Sequence, residues 1–355
     1  MTPAARRLVK MGTLFPVLLV LLITSARTAE AAASLFLQEP FGTFGHMNPT
    51  GHAAVYLSQV CAATPVLLRP CRPGETGVVI SRYHRVDGYD WVAIPLLPYL
   101  YAVDRAEDVP LFANAEAVEA LRDTYRRSHL EALAPDAPGG KTPHGEWTQL
   151  IGAAYDRRIY SFEIETTPAK DEQLIAELNS ARNKGQFNLF IRNCADFSRG
   201  IINSYYPHAT HRSIFSDVGI TTPKQIAKSL ISYAKRHPEL QFSSLTIEQI
   251  PGSPRSRPIR GVIESFVKSK KYVVPLAALH PLVTGGLAVY YLTSARSDPR
   301  RNFTNHLEHE SRPDAIVADL ESNNSTYTAN SSLPAGQPVL IPADDFAGLS
   351  EFAFQ

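Results

Sequence analysis

The sequence predicts an α+β fold in which an antiparallel sheet supports a helix that begins at a cysteine. Segments with the strand period of two lie on both sides of a segment with the helical period. Hydrophobic residues make up 44% of the 355 residues, which is enough for a substantial core. In "NLFIRNCADFSRG", residues 188–200, the alternating pattern changes to a helical one at Cys194. A strand that leads directly into a helix is therefore expected at this cysteine.

Strands dominate the first part of the chain. The nearly continuous apolar run "HAAVYL" (52–57) predicts a strand that is buried on both faces. Two further strands are expected in "GVVISRYH" (77–84) and "YDWVAIPLL" (89–97), the latter stopped by prolines. A helix is expected over 113–134, where apolar and aromatic residues recur every four positions, with a short helix at about 145–154.

The middle of the chain has the most regular pattern. The alternating segment "RIYSFEIETT" (158–167) predicts a strand, and Thr167-Pro168 is a favourable start for the helix that follows. This helix is expected to end at Gly185, and "QFNLFIRN" (186–193) is expected to form another strand. From Cys194, residues 197, 201 and 205 form one apolar helical stripe. Asn193 is expected to cap this helix, and Asp196 to interact with its dipole.

The C-terminal part contains a long uncharged segment. After a helix at about 222–236 and a linker rich in Pro, Arg and Ser at 251–260, residues 272–293 contain no Asp, Glu, Lys or Arg. A run of this length predicts a membrane span, although His280, two prolines and two glycines also fit a broken, buried core segment. The polar tail from about 294 to 355 is expected to be disordered.

The N-terminus has the features of an export signal. Arg6, Arg7 and Lys10 precede a short apolar segment at 14–23, and small residues suitable for cleavage follow at 29–31 and 31–33. Residues 1–33 are therefore assigned to a signal peptide, with an uncleaved anchor as the alternative. Export implies an oxidising compartment, where Cys61 and Cys71 are expected to form a disulfide that closes a hairpin-like loop. The alternative is two buried free thiols.

Composition argues against several classes of function. The formal net charge is +1, whereas a nucleic-acid-binding domain is normally strongly basic. The segment "HLEH", His306–His309, has a spacing known from metal sites but lacks further Cys or His partners, so no metal site is expected. No cofactor is expected either, and the sequence gives no indication of the oligomeric state.

Cys194 is the leading candidate for a nucleophile. A helix N-terminus supplies unpaired N–H groups and a partial positive charge, which stabilise a thiolate and the oxyanion of a tetrahedral intermediate. Such a thiol needs a base, and among eleven histidines His52 is favoured because it begins a strand directly after a Gly-rich segment. The alternatives are a small core cysteine and a structural histidine.

The order of "GHAAVYL" (51–57), a strand-helix-strand segment (160–194) and "RNCADF" (192–197) resembles the circularly permuted branch of the papain-like NlpC superfamily. That branch includes the lecithin:retinol acyltransferase-like proteins and the N-terminal domain of Lnb-type lipoprotein N-acyltransferases. The resemblance covers about residues 40–210. It implies a permuted papain-like fold, a nucleophile at Cys194, a base at His52 and a covalent thioester. The family also takes a third polar group from the strand after the histidine strand. His84 is chosen here, with Ser81 and His46 as alternatives.

These observations divide the chain into regions. They are a signal peptide (1–33), a papain-like catalytic domain (34–215) with a helical insertion at about 100–155, a helical extension with a basic linker (216–271), a membrane segment (272–293) and the polar tail (294–355).

The expected function is an exported, membrane-associated thiol acyltransferase or hydrolase that acts on a lipid, lipoprotein or amide. Its location would be periplasmic or at the extracytoplasmic face of a membrane, anchored by 272–293. The alternatives are a cysteine endopeptidase of cell-wall peptides and an inactive papain-like protein that serves in binding or scaffolding.

Overall fold

The protein has an α+β fold built around one mixed, mainly antiparallel sheet. The computed structural model describes residues 31–42, 50–84, 86–213, 217, 219–292 and 309–311. The strands are β1 (Ala31–Gln38), β2 (His52–Leu57), β3 (Val60–Thr64), β4 (Leu67–Pro70), β5 (Val78–Ser81), β6 (Val92–Pro95), β7 (Ile159–Thr166), β8 (Ser243–Ile247) and β9 (His309–Ser311). The main sheet has the order β6-β5-β2-β1-β7-β8-β9, antiparallel except for β8 with β9, and β3 and β4 form a separate hairpin.

Helices cover both faces of this sheet. They are α1 (Leu96–Tyr101), α2 (Ala115–His129), α3 (Ala153–Asp156), α4 (Pro168–Ser180), α5 (Cys194–Tyr205), α6 (Pro223–Ala234), α7 (Val262–Lys268), α8 (Lys270–Leu279) and α9 (Pro281–Tyr290). Short 3₁₀ turns lie at Ala106–Asp108, Glu146–Gln149 and Pro238–Leu240.

Side-chain alternation in the central strands creates two cores. In β1, Leu35 and Leu37 pack with α4, α5 and α6, whereas Phe36 points to the opposite face and packs with α1, α2 and α3. β2 alternates in the same way, with Val55 on the first face and Ala54 on the second. Truncating a fully buried leucine such as Leu35 to alanine in a core of this kind costs about 2–5 kcal/mol. The predicted insertion, roughly 100–155, thus covers the second face of the sheet.

Local signals predicted several elements correctly. β2 has the expected bounds, and β7 lies inside the predicted 158–167. Thr167 caps α4 by accepting a hydrogen bond from the N–H of Lys170. The α4 helix, however, ends at Ser180, five residues before Gly185. Cys61 and Cys71 form a disulfide across the β3–β4 hairpin, as predicted.

The central strand β1 begins inside the range assigned to the export signal. Ala31 pairs with Thr166 of β7, and Ala33 pairs with both Leu57 of β2 and Ile164 of β7. Cleavage after Ala31 would leave this strand nearly whole, whereas cleavage after Ala33 would remove three of its residues. Residues 1–30 lie outside the described part of the chain.

The prediction of a strand over residues 186–193 is wrong. Asn188 and Arg192 exchange two backbone hydrogen bonds and close a tight turn. The Asn188 side chain also accepts hydrogen bonds from the N–H groups of Phe190 and Ile191. An asparagine that bonds nearby backbone in this way competes with a sheet ladder. The apolar residues therefore project from the turn instead of entering the core.

The region predicted as a helical extension (216–271) belongs to the same domain. The α6 helix contributes to the first core, and β8 pairs with β7 in the main sheet. The 251–260 segment is not a free linker either, since the N–H of Arg257 donates to Pro40 O and the hydroxyl of Ser256 donates to Glu39.

The segment 272–293, predicted as a membrane span, does not form one continuous helix. The segment contains α8 and α9, which meet at His280 with φ −139° and ψ 68°. Pro281 disfavours the helical conformation of the residue before it, and this explains the break. Among the described residues, no helix combines the length and apolar composition needed to cross a membrane.

Candidate active site

The candidate site lies at one end of the sheet, where α5 meets β2. His52 is the first residue of β2 and pairs with Gln38, the last residue of β1. Cys194 is the first residue of α5, and this helix packs against β2. Gly51 immediately precedes His52 with φ +76°, and a Cβ at this position would lie 2.2 Å from Gln38 O. Only glycine therefore permits this close approach between β1 and the residue before β2.

Cys194 is the only free cysteine, since the other two cysteines form the disulfide. It is 9% exposed. The backbone N–H groups of Ala53, Ala195 and Cys194 itself lie near its sulfur and act to lower the pKa of the thiol. The Ala53 N–H belongs to the peptide group that joins it to His52, so the thiol lies beside the backbone of the candidate base. Backbone N–H groups at such a helix start are also the type of donor that can stabilise an oxyanion.

Burial raises the pKa of the Cys194 thiol above its ordinary value, although the surrounding N–H groups and the charge of Arg157 oppose this effect. For His52, burial and then the charge of Arg157 lower the pKa to about 3. The resting site therefore contains a neutral thiol and a neutral imidazole at neutral pH. A proton must pass from sulfur to the base as the thiol attacks, as in general-base catalysis.

Hydrogen bonds fix the tautomer of His52. The Ser81 hydroxyl donates to Ala53 O at 2.7 Å and lies 3.1 Å from His52 Nε2. A hydroxyl has only one proton, so Ser81 Oγ must accept a hydrogen bond from Nε2–H. The Nδ1 atom then carries the lone pair, which is the form required of a base. The imidazole also stacks on the Tyr83 ring, with centroids 5.0 Å apart.

The turn that presents Cys194 is held by a capping box. The Asn193 side chain accepts from the N–H of Asp196 at 2.9 Å, and the Asp196 side chain accepts from the N–H of Asn193. Asn193 Nδ2 also donates to Thr221 O and Leu189 O. Asp196 in turn accepts from Arg212 and from the Thr221 hydroxyl, each at 2.6 Å. The capping role predicted for Asn193 is thereby confirmed, and Asp196 lies in the first turn as its partner in the capping box.

An ion-pair cluster joins the end of β5, next to Ser81, to the loop that precedes Cys194. Arg82, next to Ser81, and Arg192, which lies two residues before Cys194, both pair with Asp90. Burial raises the pKa of this carboxyl, but the two guanidinium groups lower it more, so that it lies below the ordinary value. Asp90 therefore remains charged at neutral pH and fixes the end of β5 relative to the loop before the nucleophile.

The structure brings Cys194, His52 and Ser81 together, but it does not bring His84 to them. His84 is exposed and makes an edge contact with Phe187, with centroids 5.6 Å apart. The β5 strand ends at Ser81, so the chain turns away before it reaches His84. The rival His46 lies outside the described residues.

Three residues at the site were not predicted. Gln38 donates a hydrogen bond to the Tyr99 hydroxyl, and Tyr99 is hydrogen-bonded to Tyr83 beside His52. Arg157, only 3% exposed, influences both Cys194 and His52 through its charge. The sequence has two adjacent arginines before β7, and nothing in the pattern tells which one is buried.

In the described part of the chain, residues of the types that can bind a metal come together at one place, where Cys61, Cys71 and Glu75 approach one another. Because the two sulfurs form a disulfide, they cannot act as thiolate ligands. A cavity of about 440 Å³ adjoins this disulfide and is lined by residues of the hairpin and the insertion, including Asp104 and His129. Neither feature includes the Cys194 thiol.

Comparisons of the chain with protein-family models, with curated proteins and with solved structures find no match. The case for a function therefore depends on the geometry of the site.

Proposed function

We propose that the protein is an exported thiol acyltransferase or hydrolase with Cys194 as nucleophile and His52 as base. The observation that carries this proposal is the set of contacts around the thiol. Cys194 lies at a helix N-terminus beside the His52–Ala53 peptide, and Ser81 holds the imidazole with its Nδ1 unprotonated. A nucleophile, a base and a residue that orients the base are the components of this chemistry. A permuted papain-like fold is consistent with their order along the chain.

The reaction follows from these groups. Cys194 Sγ attacks the acyl carbonyl carbon while His52 Nδ1 takes the thiol proton, and the N–H groups near the sulfur stabilise the oxyanion. The intermediate then collapses to a thioester, and the leaving group departs with the proton from His52. Water or an amine next attacks the thioester, gives its proton to His52, and restores the thiol as the product leaves. Ser81 accepts from Nε2–H and stabilises the imidazolium that forms between these steps.

An apolar substrate is favoured by the surface next to the nucleophile. Leu189, Phe190 and Ile191, here called the apolar tip, are 45%, 60% and 67% exposed. Asn193 bonds directly to Leu189 O, so the tip and the nucleophile are linked through one side chain. Exposed apolar patches often mark sites of membrane or protein interaction, and this one lies next to the nucleophile. We therefore place a lipid or lipoprotein among the substrates.

Two further features fit an exported protein at a membrane surface. The Cys61–Cys71 disulfide is typical of oxidising compartments. The helices α8 and α9 expose several large apolar side chains, namely Val274, Leu279, Leu282, Val283 and Val289.

The acyl chemistry can be tested with p-nitrophenyl butyrate, an activated ester. Cys194 should form an adduct that intact-mass spectrometry detects and hydroxylamine removes. The adduct should be absent in Cys194→Ala and form much more slowly in His52→Gln. The exposed His84→Gln is the matched histidine control and should behave like the wild type. If the wild type forms no such adduct, the proposed function is wrong.

The lipid assignment needs a separate test. Sedimentation with phospholipid vesicles should retain the wild type and lose a variant with serine at all three positions of the apolar tip. Leu111 and Phe112, also exposed at 85% and 65%, supply the control pair for serine substitution. Equal loss in both variants would show general hydrophobic adhesion and would contradict a specific role of the tip.

A further inference from the structure

Arg157 is a buried cation with no carboxylate partner among the described residues. Its residue is 3% exposed and its Nε has no hydrogen-bond partner. The guanidinium lies over the Phe41 ring, 4.4 Å from the centroid. A buried charge of this kind is costly unless it is paired, so its presence requires an explanation.

The acidic residues near it in the chain are already engaged. Asp156 pairs with Arg122 at 2.6 Å and acts on Arg157 only through its charge, and Glu39 accepts hydrogen bonds from Ser256 and Tyr160. The segment from Phe41 to His52 contains no Asp or Glu. The next residue, Arg158, has the opposite environment, because it is partly exposed and pairs with Glu248.

Strand register places Arg157 at the site. In β7, Ile159 pairs with Gln38, and Gln38 pairs on its other side with His52. The N–H of Glu39 bonds to Arg158 O, which continues this ladder past the end of the strand. Arg157 is one residue further in the same direction, at the end of the sheet that holds His52. Its charge there lowers the pKa values of both His52 and Cys194.

We propose that Arg157 binds an anionic group of the substrate, a carboxylate or a phosphate, next to the acyl group that Cys194 attacks. The guanidinium offers planar paired donors that match either anion. The hydroxyls of Tyr83 and Tyr99, which lie close enough to Arg157 for an electrostatic effect, supply further polar groups at this place. A bound anion would neutralise the buried charge, so substrates with this group would be preferred over neutral ones.

The inference rests on the proposed function for the role of Cys194, and two alkylating agents test it. Iodoacetamide is neutral and iodoacetate is anionic, but both react with the same thiolate. The ratio of their rate constants therefore cancels any change in the thiolate fraction. Arg157→Gln should lower the ratio of iodoacetate to iodoacetamide at least tenfold. Arg158→Gln, which removes the neighbouring surface charge, should leave it unchanged.

Other results would overturn the proposal. If Arg157→Gln slows both reagents equally, Arg157 acts on the thiolate and not on a substrate anion. An unchanged ratio with unchanged rates would remove any role of its charge at the site.

A second measurement does not depend on the reactivity of Cys194. Acetate or phosphate should raise the thermal midpoint of the wild type above that in sodium chloride of equal ionic strength, because a bound ligand stabilises the folded state. The larger effect identifies the preferred anion. Arg157→Gln should lose this increase, and Arg157→Lys should retain part of it. If neither anion raises the thermal midpoint of the wild type, the protein has no such anion site. This outcome is decided by the wild type alone, so it holds even if Arg157→Gln does not fold. Failure of Cys194 to react with either reagent would instead count against the proposed function.

Discussion

Replacing His52 with glutamine should make the protein more resistant to acid, although it removes the candidate base. The ring has a pKa of about 3 in the folded protein and 6.5 when unfolded. Between these values the unfolded chain binds a proton that the folded protein does not, so the free energy of unfolding rises with pH. The stability contributed by the neutral His52 ring is lost as the pH falls from about 6.5 towards 3.

The size of this effect follows from the shift. A difference of one pKa unit corresponds to about 1.36 kcal/mol, so the full shift corresponds to about 5 kcal/mol. Between pH 7.5 and pH 4 the wild type should lose about 3 kcal/mol more than His52→Gln. Because part of the His52 residue remains accessible to solvent, these values are upper bounds.

Urea unfolding at the two pH values measures the effect. Other titrating groups are present in both proteins, so their contributions cancel in the comparison. His84→Gln removes an exposed imidazole and should follow the wild type. If the wild type and His52→Gln lose equal stability between pH 7.5 and pH 4, the imidazole is not held neutral in the fold, and the argument for a neutral base is wrong.

Three other substitutions give separate outcomes. Ser81→Ala should slow acylation of Cys194 about tenfold, because a lost hydrogen bond of about 1.4 kcal/mol no longer orients His52; ester kinetics measure this rate. Asn193→Ala should lower the free energy of unfolding by about 1–2 kcal/mol in urea, through loss of the helix cap, and should also slow acylation. Asp171→Asn should stabilise the protein at pH 7.5 by at most about 3 kcal/mol, because burial raises the pKa of this carboxyl from 3.8 to about 6.

Each of these substitutions has a control or a contradicting result. Ser81→Thr keeps the hydroxyl and should keep most of the activity, whereas equal loss in both variants would argue against the hydrogen bond. Asn114 is an exposed residue that caps the α2 helix, so Asn114→Ala should cost similar stability without slowing acylation. For Asp171, the folded state binds more protons than the unfolded chain between pH 3.8 and about 6. The advantage of asparagine should therefore vanish at pH 3.5, and a less stable variant at pH 7.5 would contradict the assignment.

Features fixed by neighbouring residues were predictable from the sequence. The cap at Thr167, the start of α5 at Cys194 and the capping role of Asn193 depend on only a few adjacent residues. The apolar pattern of β2 likewise identified a strand with His52 at its start. These local signals were sufficient to select the nucleophile and the base as candidates.

Features that depend on tertiary contacts or on competing local patterns were not predictable in the same way. The central strand β1 was not predicted at all, and its first residues, Ala31–Ala33, match a signal-peptide cleavage site as well as a strand. Ser81 could be chosen over His84 only once the end of β5 was known. The choice between Arg157 and Arg158 depends on which side chain meets the second core, and two adjacent identical residues carry no such information.

The most direct test of the central claim is the rate at which p-nitrophenyl butyrate acylates Cys194, measured by intact-mass spectrometry. The rate is compared between the wild type and His52→Gly, and for the variant also in the presence of free imidazole. We predict a hydroxylamine-labile adduct at Cys194 in the wild type, a rate at least 100-fold lower in His52→Gly, and partial recovery when free imidazole fills the space of the missing ring. Acylation of His52→Gly at the wild-type rate would contradict the role of His52, and the absence of any adduct at Cys194 would contradict the central claim.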